Sequence, residues 1–416
     1  MSATAHRPTA NERALLFTLV AVQFTHVMDF MIMMPLGPYL LNVFAITPKQ
    51  FSFLVAAYGV AAAATGLLGG FVLDRFDRKH ALLFLYSGFV LSTLACALAP
   101  SYGLLMAARL GAGACGGVAS SIVMAMVGDV IPPARRGRAM GVIMQSFPLA
   151  SVLGLPTGLW LADRFNWHGP FFFLSGSSAL ILVLVWRTLP SFRPLHPATH
   201  PWRQMRAILS HPVNQRGFLM SAALVFGGAC ITPFIATSMV VNVGLQENQI
   251  WLLYLAGGVC TFLTTPVVGR LSDHHDKLHL LGWLTLGASF VALLITRLPP
   301  VPLPVAMLVI ALFMVTMSGR FTPAMALVTN AVEPRHRGGF MSVNSAIQQS
   351  AMGLANIVAG YLVVQDPPTN GPLHGYERTG LVAVAAFAVT YFLAARLRAL
   401  APHAARPGGQ PAGGTH

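Results

Sequence analysis

One acid stands inside the first apolar run of this chain, Asp29 in QFTHVMDF, and its polar neighbours are regularly spaced. Gln23, His26 and Asp29 recur at every third residue, which puts three polar groups on one stripe of a helix. A carboxylate at the centre of a membrane-crossing segment costs about 2.5–3.5 kcal/mol on insertion scales, so it needs a function or a partner. Burial disfavours the charged carboxyl and a nearby cation favours it. A group switched between those surroundings can take up a proton on one side of a membrane and release it on the other, from a stripe facing a water-filled cavity. The alternative is a permanently paired Asp that stitches two helices together. His26 titrates near neutrality in free form, and a hydrogen-bonded structural histidine is its other reading.

Two cations are stranded in apolar runs as well. Arg109 lies in the fourth run and Arg320 in the tenth. No acid in the apolar runs of the second half is available to neutralise Arg320. Either backbone carbonyls and water solvate it, or it meets an anionic or polar substrate. Pro323, three residues on, frees a carbonyl and permits a bend. The eleventh run opens with MSVNSAIQQS, where Asn344 and Gln348 share one face and Ser345 and Gln349 another. Such side chains either hydrogen-bond neighbouring helices or line a cavity. Gln145, at the position equivalent to Ala346, is a weaker candidate of the same kind. Gly66/Gly70, Gly113/Gly117 and Gly154/Gly158 are small-xxx-small spacings that let helices approach closely.

The surroundings of these residues are those of a membrane protein. The 416 residues are 55% hydrophobic and 9% charged, with a mean hydropathy of +0.66, whereas a soluble domain carries about a quarter charged residues. A crossing helix needs roughly 20 apolar residues. Stretches near 15–41, 51–73, 81–99, 102–127, 139–161, 170–189, 217–241, 250–270, 278–297, 303–329, 340–364 and 379–400 predict twelve, in an all-α membrane fold. Residues 1–13 form a polar leader, 14–189 a first six-helix bundle, 190–216 a Pro- and Arg-rich linker, and 217–400 a second bundle. A tail at 401–416, rich in Pro, Gly and Ala, is expected to be disordered. The run from Leu15 to Leu41 is too long for the core of a cleavable signal peptide. Cys96, Cys115, Cys230 and Cys260 fall inside apolar stretches without paired spacing and read as small hydrophobes.

Charge sets the orientation. With the N-terminus inside, the outer segments hold only Lys49, Arg164, Arg297 and Arg378. Apart from Arg109 and Arg320, every other lysine and arginine falls inside, as expected for cytoplasmic segments. The net charge of +14 is therefore a basic inner face. A nucleic-acid partner is not expected, because no basic patch is interleaved with exposed aromatics.

The two halves repeat. The hairpin GGFVLDRFDRKH, Gly69 to His80, has a worn copy in GRLSDHHDK, Gly269 to Lys277, with Asp74 and Asp273 199 residues apart. PARRGRAM from Pro133 and PRHRGGFM from Pro334 are 201 apart. Two six-helix halves of one topology, with a site between them near mid-membrane, are a known transporter plan.

Gly70, Asp74, Arg75, Arg78 and Lys79 resemble the signature between helices two and three of the major facilitator superfamily, and the resemblance covers essentially the whole chain. Asp77 stands where glycine is usual there. Arg109 and Gly113 resemble a helix-four signature of proton-coupled members, with Ala112 where glutamine is common. Gly154, Pro156 and Gly158, in GLPTG, loosely resemble the antiporter motif of helix five. GLPTG with Trp167 and Phe171, and SGRFTPAMALVT from Ser318, resemble the arabinose-efflux-like drug and metabolite exporters. This resemblance implies the major facilitator fold, two pseudo-symmetric bundles, with helices one and four beside a central cavity and Arg109 as partner to Asp29. It implies a cytoplasmic latch of Asp74, Arg78 and Asp129, with Asp74 facing Gly338 and Gly339, and a weaker copy at Asp273. Asp74→Ala should then shift the population inward-open in cysteine cross-linking.

The expected protein is a secondary transporter of the inner membrane with both termini cytoplasmic. It exchanges protons for small organic molecules, drugs or sugar-like metabolites. It acts as a monomer in the lipid bilayer, uses the proton gradient in place of a cofactor, and binds no metal. Proton-coupled import and ligand sensing without transport are the alternatives. Catalysis is not expected, since no nucleotide-binding glycine loop, metal-ligand cluster or nucleophile–base arrangement is present.

Overall fold

The computed structural model describes residues 10–72, 76–191, 206, 208–333, 337–365 and 371–401. Asp74 and Arg75, most of the linker, and the tail beyond residue 401 lie outside the described residues.

The first apolar run breaks. Helix α1 spans Ala10–Ile32 and a short α2 spans Gly37–Val43. Pro35 and Pro38 explain the break, because each lacks the N–H that a helix interior requires, while Pro38 is tolerated in the first turn of α2. Asp29 therefore sits in the last turn of α1, not at the centre of one long helix. Helices α3 (Pro48–Val72), α4 (Arg78–Ala97) and α5 (Tyr102–Val130) follow. The fifth span is a composite of α6 (Pro133–Met144), α7 (Ser146–Leu149), a π-turn at Ala150–Gly154 and α8 (Leu155–Phe165). Pro156 cannot donate to the ladder, and the turn before it widens so that the Leu155 N–H reaches the Ala150 carbonyl. Helix α9 (Gly169–Thr188) closes the first half.

The second half begins with α10 (Pro212–Ile231), which passes through a 3₁₀ turn at Thr232–Phe234 into α11 (Ile235–Val241). Then come α12 (Ile250–His274), α13 (Lys277–Ile295), α14 (Leu303–Ala331), α15 (Arg337–Leu362) and α16 (Tyr376–Leu400). Two short strands, β1 (Val364–Gln365) and β2 (Leu373–His374), pair antiparallel between α15 and α16. The Asn242 side chain holds β2 by donating to the Leu373 carbonyl at 3.0 Å and accepting from its N–H at 2.8 Å. Among the described residues ten helices are long and apolar enough to cross a membrane. With α3 and α15, of 25 and 26 residues, the architecture is compatible with the expected twelve.

The halves meet along two seams, α3 against α15 and the π-turn with α8 against α12. Small residues make both seams close. A Cβ on Gly258 would stand 2.6 Å from the Ser151 carbonyl oxygen, and one on Gly353 2.7 Å from Val60 Cγ2. Near the end of the bundle that carries α2, Phe51 faces Phe234 with ring centroids 6.1 Å apart, Lys49 lies 4.1 Å over the Tyr361 ring, and Gly360 abuts Ser52. The cores agree. One apolar cluster runs from the first half into Ile231, Phe234, Leu253 and Ala359 of the second, whereas a separate cluster of Phe218, Leu278, Leu327 and Phe340 stays within the second half. The halves are thus fused at the α2 end.

At the opposite end, Asp77 caps α4. Its carboxylate accepts from the His80 N–H at 3.1 Å, the His80 ring at 3.0 Å and the Ser191 hydroxyl at 2.7 Å. Asp276 does the same for α13, accepting from the N–H groups of Leu278 and His279, and pairs with Arg398 at 3.1 Å. Partial burial pushes the Asp77 carboxyl upward, but its bonds from Ser191 and His80 win and hold it below its ordinary 3.8. A group lowered in the folded state contributes stability above its unfolded value and loses it as pH falls through the folded one. Asp77→Ala should cost about 1 kcal/mol, and the wild type should lose melting temperature below about pH 4 more steeply than the variant. Thermal unfolding across that range checks both, and equal slopes would contradict the assignment.

Candidate functional site

The site is built on the contact of α3 with α5. Packing in lipid relies on close approach of small residues. A Cβ at Gly113 would fall on the Tyr58 carbonyl, and one at Gly117 would stand 2.6 Å from Ala62 Cα. With α3 and α5 so close, side chains from α1 meet theirs in a confined space. Arg109 Nη1 donates to Asp29 Oδ2 at 3.0 Å and to the Asp29 carbonyl at 3.1 Å. Both side chains are 0% exposed. The guanidinium lies 4.6 Å over the Tyr58 ring. The Tyr58 hydroxyl is 2.7 Å from His26 Nδ1 and donates to the His26 carbonyl at 3.3 Å. A Cβ on Gly116 would stand 2.7 Å from both Nδ1 and the hydroxyl, so glycine leaves room for that bond. One turn away on α1, Gln23 accepts from the Ser120 hydroxyl at 2.9 Å.

His26, Asp29 and Arg109 therefore come together, with Tyr58 as the group that completes them. They are enclosed by α3 and α5. Two cavities found among the described residues, of about 380 and 330 Å³, lie at the α2 end and are lined by other residues. The pairing is incomplete: Asp29 Oδ1 and Arg109 Nε and Nη2 have no hydrogen-bond partner. A buried ion pair balances a large desolvation cost against a large attraction, and this one is held through a single guanidinium nitrogen, Nη1. The opposite face of α1 rests on the fifth span, where a Cβ on Gly154 would be 3.1 Å from Met28 Cγ and one on Gly158 2.5 Å from Ile32 Cδ1. Pro156 sets the π-turn between them.

The remaining candidates do not join this group. Arg320 is 1% exposed, with its guanidinium 3.8 Å over the Phe387 ring and Nη1 3.9 Å from Met317 Sδ. Asn344 is buried and its Oδ1 has no partner. Gln348 donates from Nε2 to Met325 Sδ at 3.4 Å. Gln145 is exposed at the break between α6 and α7.

At the end away from α2, Arg78 Nε pairs with Asp129 Oδ2 at 3.3 Å, and Arg135 Nη1 with Glu12 Oε2 at 2.8 Å. Lys79 follows Arg78 in the first turn of α4, and Gly70 lies near the end of α3. Asp273 is exposed in the last turn of α12. Among the described residues no group of three or more His, Cys, Asp or Glu is placed to hold a metal ion. Tyr58 carries no flag in the sequence, being one aromatic among many. Asp276 did carry one: Asp77 and His80 recur at Asp276 and His279 with the 199-residue offset that links Asp74 to Asp273.

The family model described as Major Facilitator Superfamily matches residues 19–232 and 217–414, once on each half. The MFS-type transporter YceJ of Bacillus subtilis is 27% identical over 348 residues, 82% of this chain and 87% of that one. A probable sugar efflux transporter of Helicobacter pylori is 26% identical over 244 residues, 56% of this chain and 59% of that one. The crystal structure of a D-xylose-proton symporter shares the fold, with a TM-score of 0.73 at 15% identity over 91% of this chain and 97% of that one. The chain belongs to the major facilitator superfamily. It is a membrane transporter built from two related helical halves.

Proposed function

We propose that this protein is a proton-coupled exporter that exchanges protons for small organic molecules, drugs or sugar-like metabolites by alternating access. The observation that carries the reading is the wholly enclosed Asp29–Arg109 pair, an acid and a cation in lipid-embedded helices with donors and acceptors left over. Protonating Asp29 removes the charge that holds Arg109 and biases the halves toward the other opening. His26 and Tyr58 fix the geometry around that step. The relative with sugar efflux in its name favours export.

The lysine and arginine asymmetry supports a topology with both termini on the cytoplasmic side of the inner membrane; on that reading the fused α2 end is the outer one and the conformer is closed to the outside. Gln23, Gln145, Arg320, Asn344 and Gln348 are the substrate-facing candidates. The Arg78–Asp129 pair, formed within the first half, belongs to the charge cluster proposed to dock on the second half when the inner side closes, with Asp74, Arg75, Lys79 and Gly70 in the same hairpin and Asp273 in its weaker copy. The protein works as a monomer and draws its energy from the proton gradient, without a cofactor.

Reconstitution tests the reading. Proteoliposomes with an imposed proton gradient, offered a chemically varied panel, should move at least one compound uphill against the proton flow. Flux that equilibrates every compound and ignores the gradient would exclude proton coupling.

A further inference from the structure

The two halves treat their buried arginines differently. Arg109 has Asp29 at 3.0 Å. Arg320 has Phe387 beneath it and a thioether on Nη1, while Nε and Nη2 have no partner. A stacked aromatic ring and a sulfur atom do not replace a counter-anion, and a buried unpaired charge is costly. The two idle atoms are informative. Nε and Nη2 form one edge of the planar guanidinium, with parallel N–H groups at the spacing of the two oxygens of a carboxylate. The Phe387 ring, its centroid 3.8 Å from the guanidinium carbon, holds that end of the side chain in place. Pro323 leaves the Gly319 carbonyl, next to Arg320, outside the helical ladder, so α14 bends most easily where the fork is attached.

We propose that the transported substrate carries a carboxylate and that the Nε–Nη2 edge of Arg320 is its recognition site, reached when α14 bends during the transport cycle. The inference rests on the transport reading above and narrows its substrate to organic acids. A neutral compound cannot discharge the buried cation, and a lysine cannot present the same fork. The site differs in kind from the Asp29–Arg109 pair, where the counter-charge is part of the protein.

Purified full-length protein in detergent, followed by thermal shift, tests this with matched probes: gluconate against glucose, and benzoate against benzyl alcohol. At least one acid should stabilise the wild type while its neutral counterpart does so at least tenfold more weakly. Arg320→Gln should lose the difference and Arg320→Lys should weaken it, and Gly269→Val, where a Cβ meets nothing within 4 Å, should keep it. Binding is read with no proton gradient imposed, so acid recognition holds or fails whether or not transport is proton-coupled. Equal binding of acid and neutral partner, binding of neither, protection by chloride equal to that by the acids, or acid binding unchanged in Arg320→Gln would each overturn it. Arg320→Lys keeps the charge and serves as the folded control should Arg320→Gln fail to fold.

Discussion

Arg109→Ala should cost about 3–5 kcal/mol of stability, because it leaves the buried Asp29 carboxyl without its cation. Asp29→Asn is expected to be milder, since the amide still accepts from the guanidinium and Tyr58 still lies beneath it. The double variant Asp29→Asn/Arg109→Ala removes both charges together and should cost less than the sum of the two single losses. Groups in contact couple in this way, whereas independent sites add. Unfolding of the four proteins in one detergent reads the coupling, and losses that simply add would show that the two side chains do not act as a pair. In proteoliposomes Asp29→Asn should abolish uphill movement driven by a pH gradient and retain exchange of substrate for substrate. Uphill transport by Asp29→Asn would place the coupling proton elsewhere.

The second large effect is expected at the α2 end. Gly360 abuts Ser52, and a Cβ there would also stand 3.2 Å from Lys49 Cα. Gly360→Val should therefore disfavour the conformer in which α3 and α15 meet there. Overpacking of this kind costs about 1–3 kcal/mol. If only one of two openings bears that cost, their ratio changes by about 5–150-fold. Distances between spin labels on Asn42 and Gln365, one on each half, should lengthen in Gly360→Val. The control is Gly269→Val, where a Cβ meets nothing within 4 Å. Unchanged distances in Gly360→Val would show that the contact does not hold the halves together.

Much of this site is legible in the residues. A carboxylate and a guanidinium in apolar runs are so costly in lipid that their presence predicts a partner, and the structure makes Asp29 and Arg109 partners. The doubled hairpin foreshadows the two halves. Tyr58 is invisible at that level, because its importance comes from a backbone contact with Gly113 that only packing reveals. The position of Asp29 along α1 is misread for a different reason. Hydropathy averaged over residues 15–41 hides two prolines, and these end the helix at Ile32 and leave the acid in its last turn. Asp77 reads as a departure from a glycine position, yet its carboxylate caps α4 with the geometry that Asp276 repeats on α13.

The stripe of Gln23, His26 and Asp29 carries a physical lesson of its own. Period-three spacing predicts a shared face, but not what that face meets. Here His26 and Asp29 meet Tyr58 and Arg109, and Gln23 meets Ser120. The stripe works as a connection between α1 and its neighbours before it can work as a wall of a water path. Under the proposed alternating access the two roles are compatible, provided the Arg109 contact breaks in the other opening.

Under the proposed mechanism Asp29 changes protonation as the two halves exchange openings. Infrared difference spectroscopy reads it directly, by following the carboxyl stretching band across a pH series in protein cross-linked at either end, with Asp29→Asn subtracted. A band that appears at different pH in the two cross-linked forms and vanishes in Asp29→Asn is the expected result. A carboxyl with the same titration in both forms would contradict it.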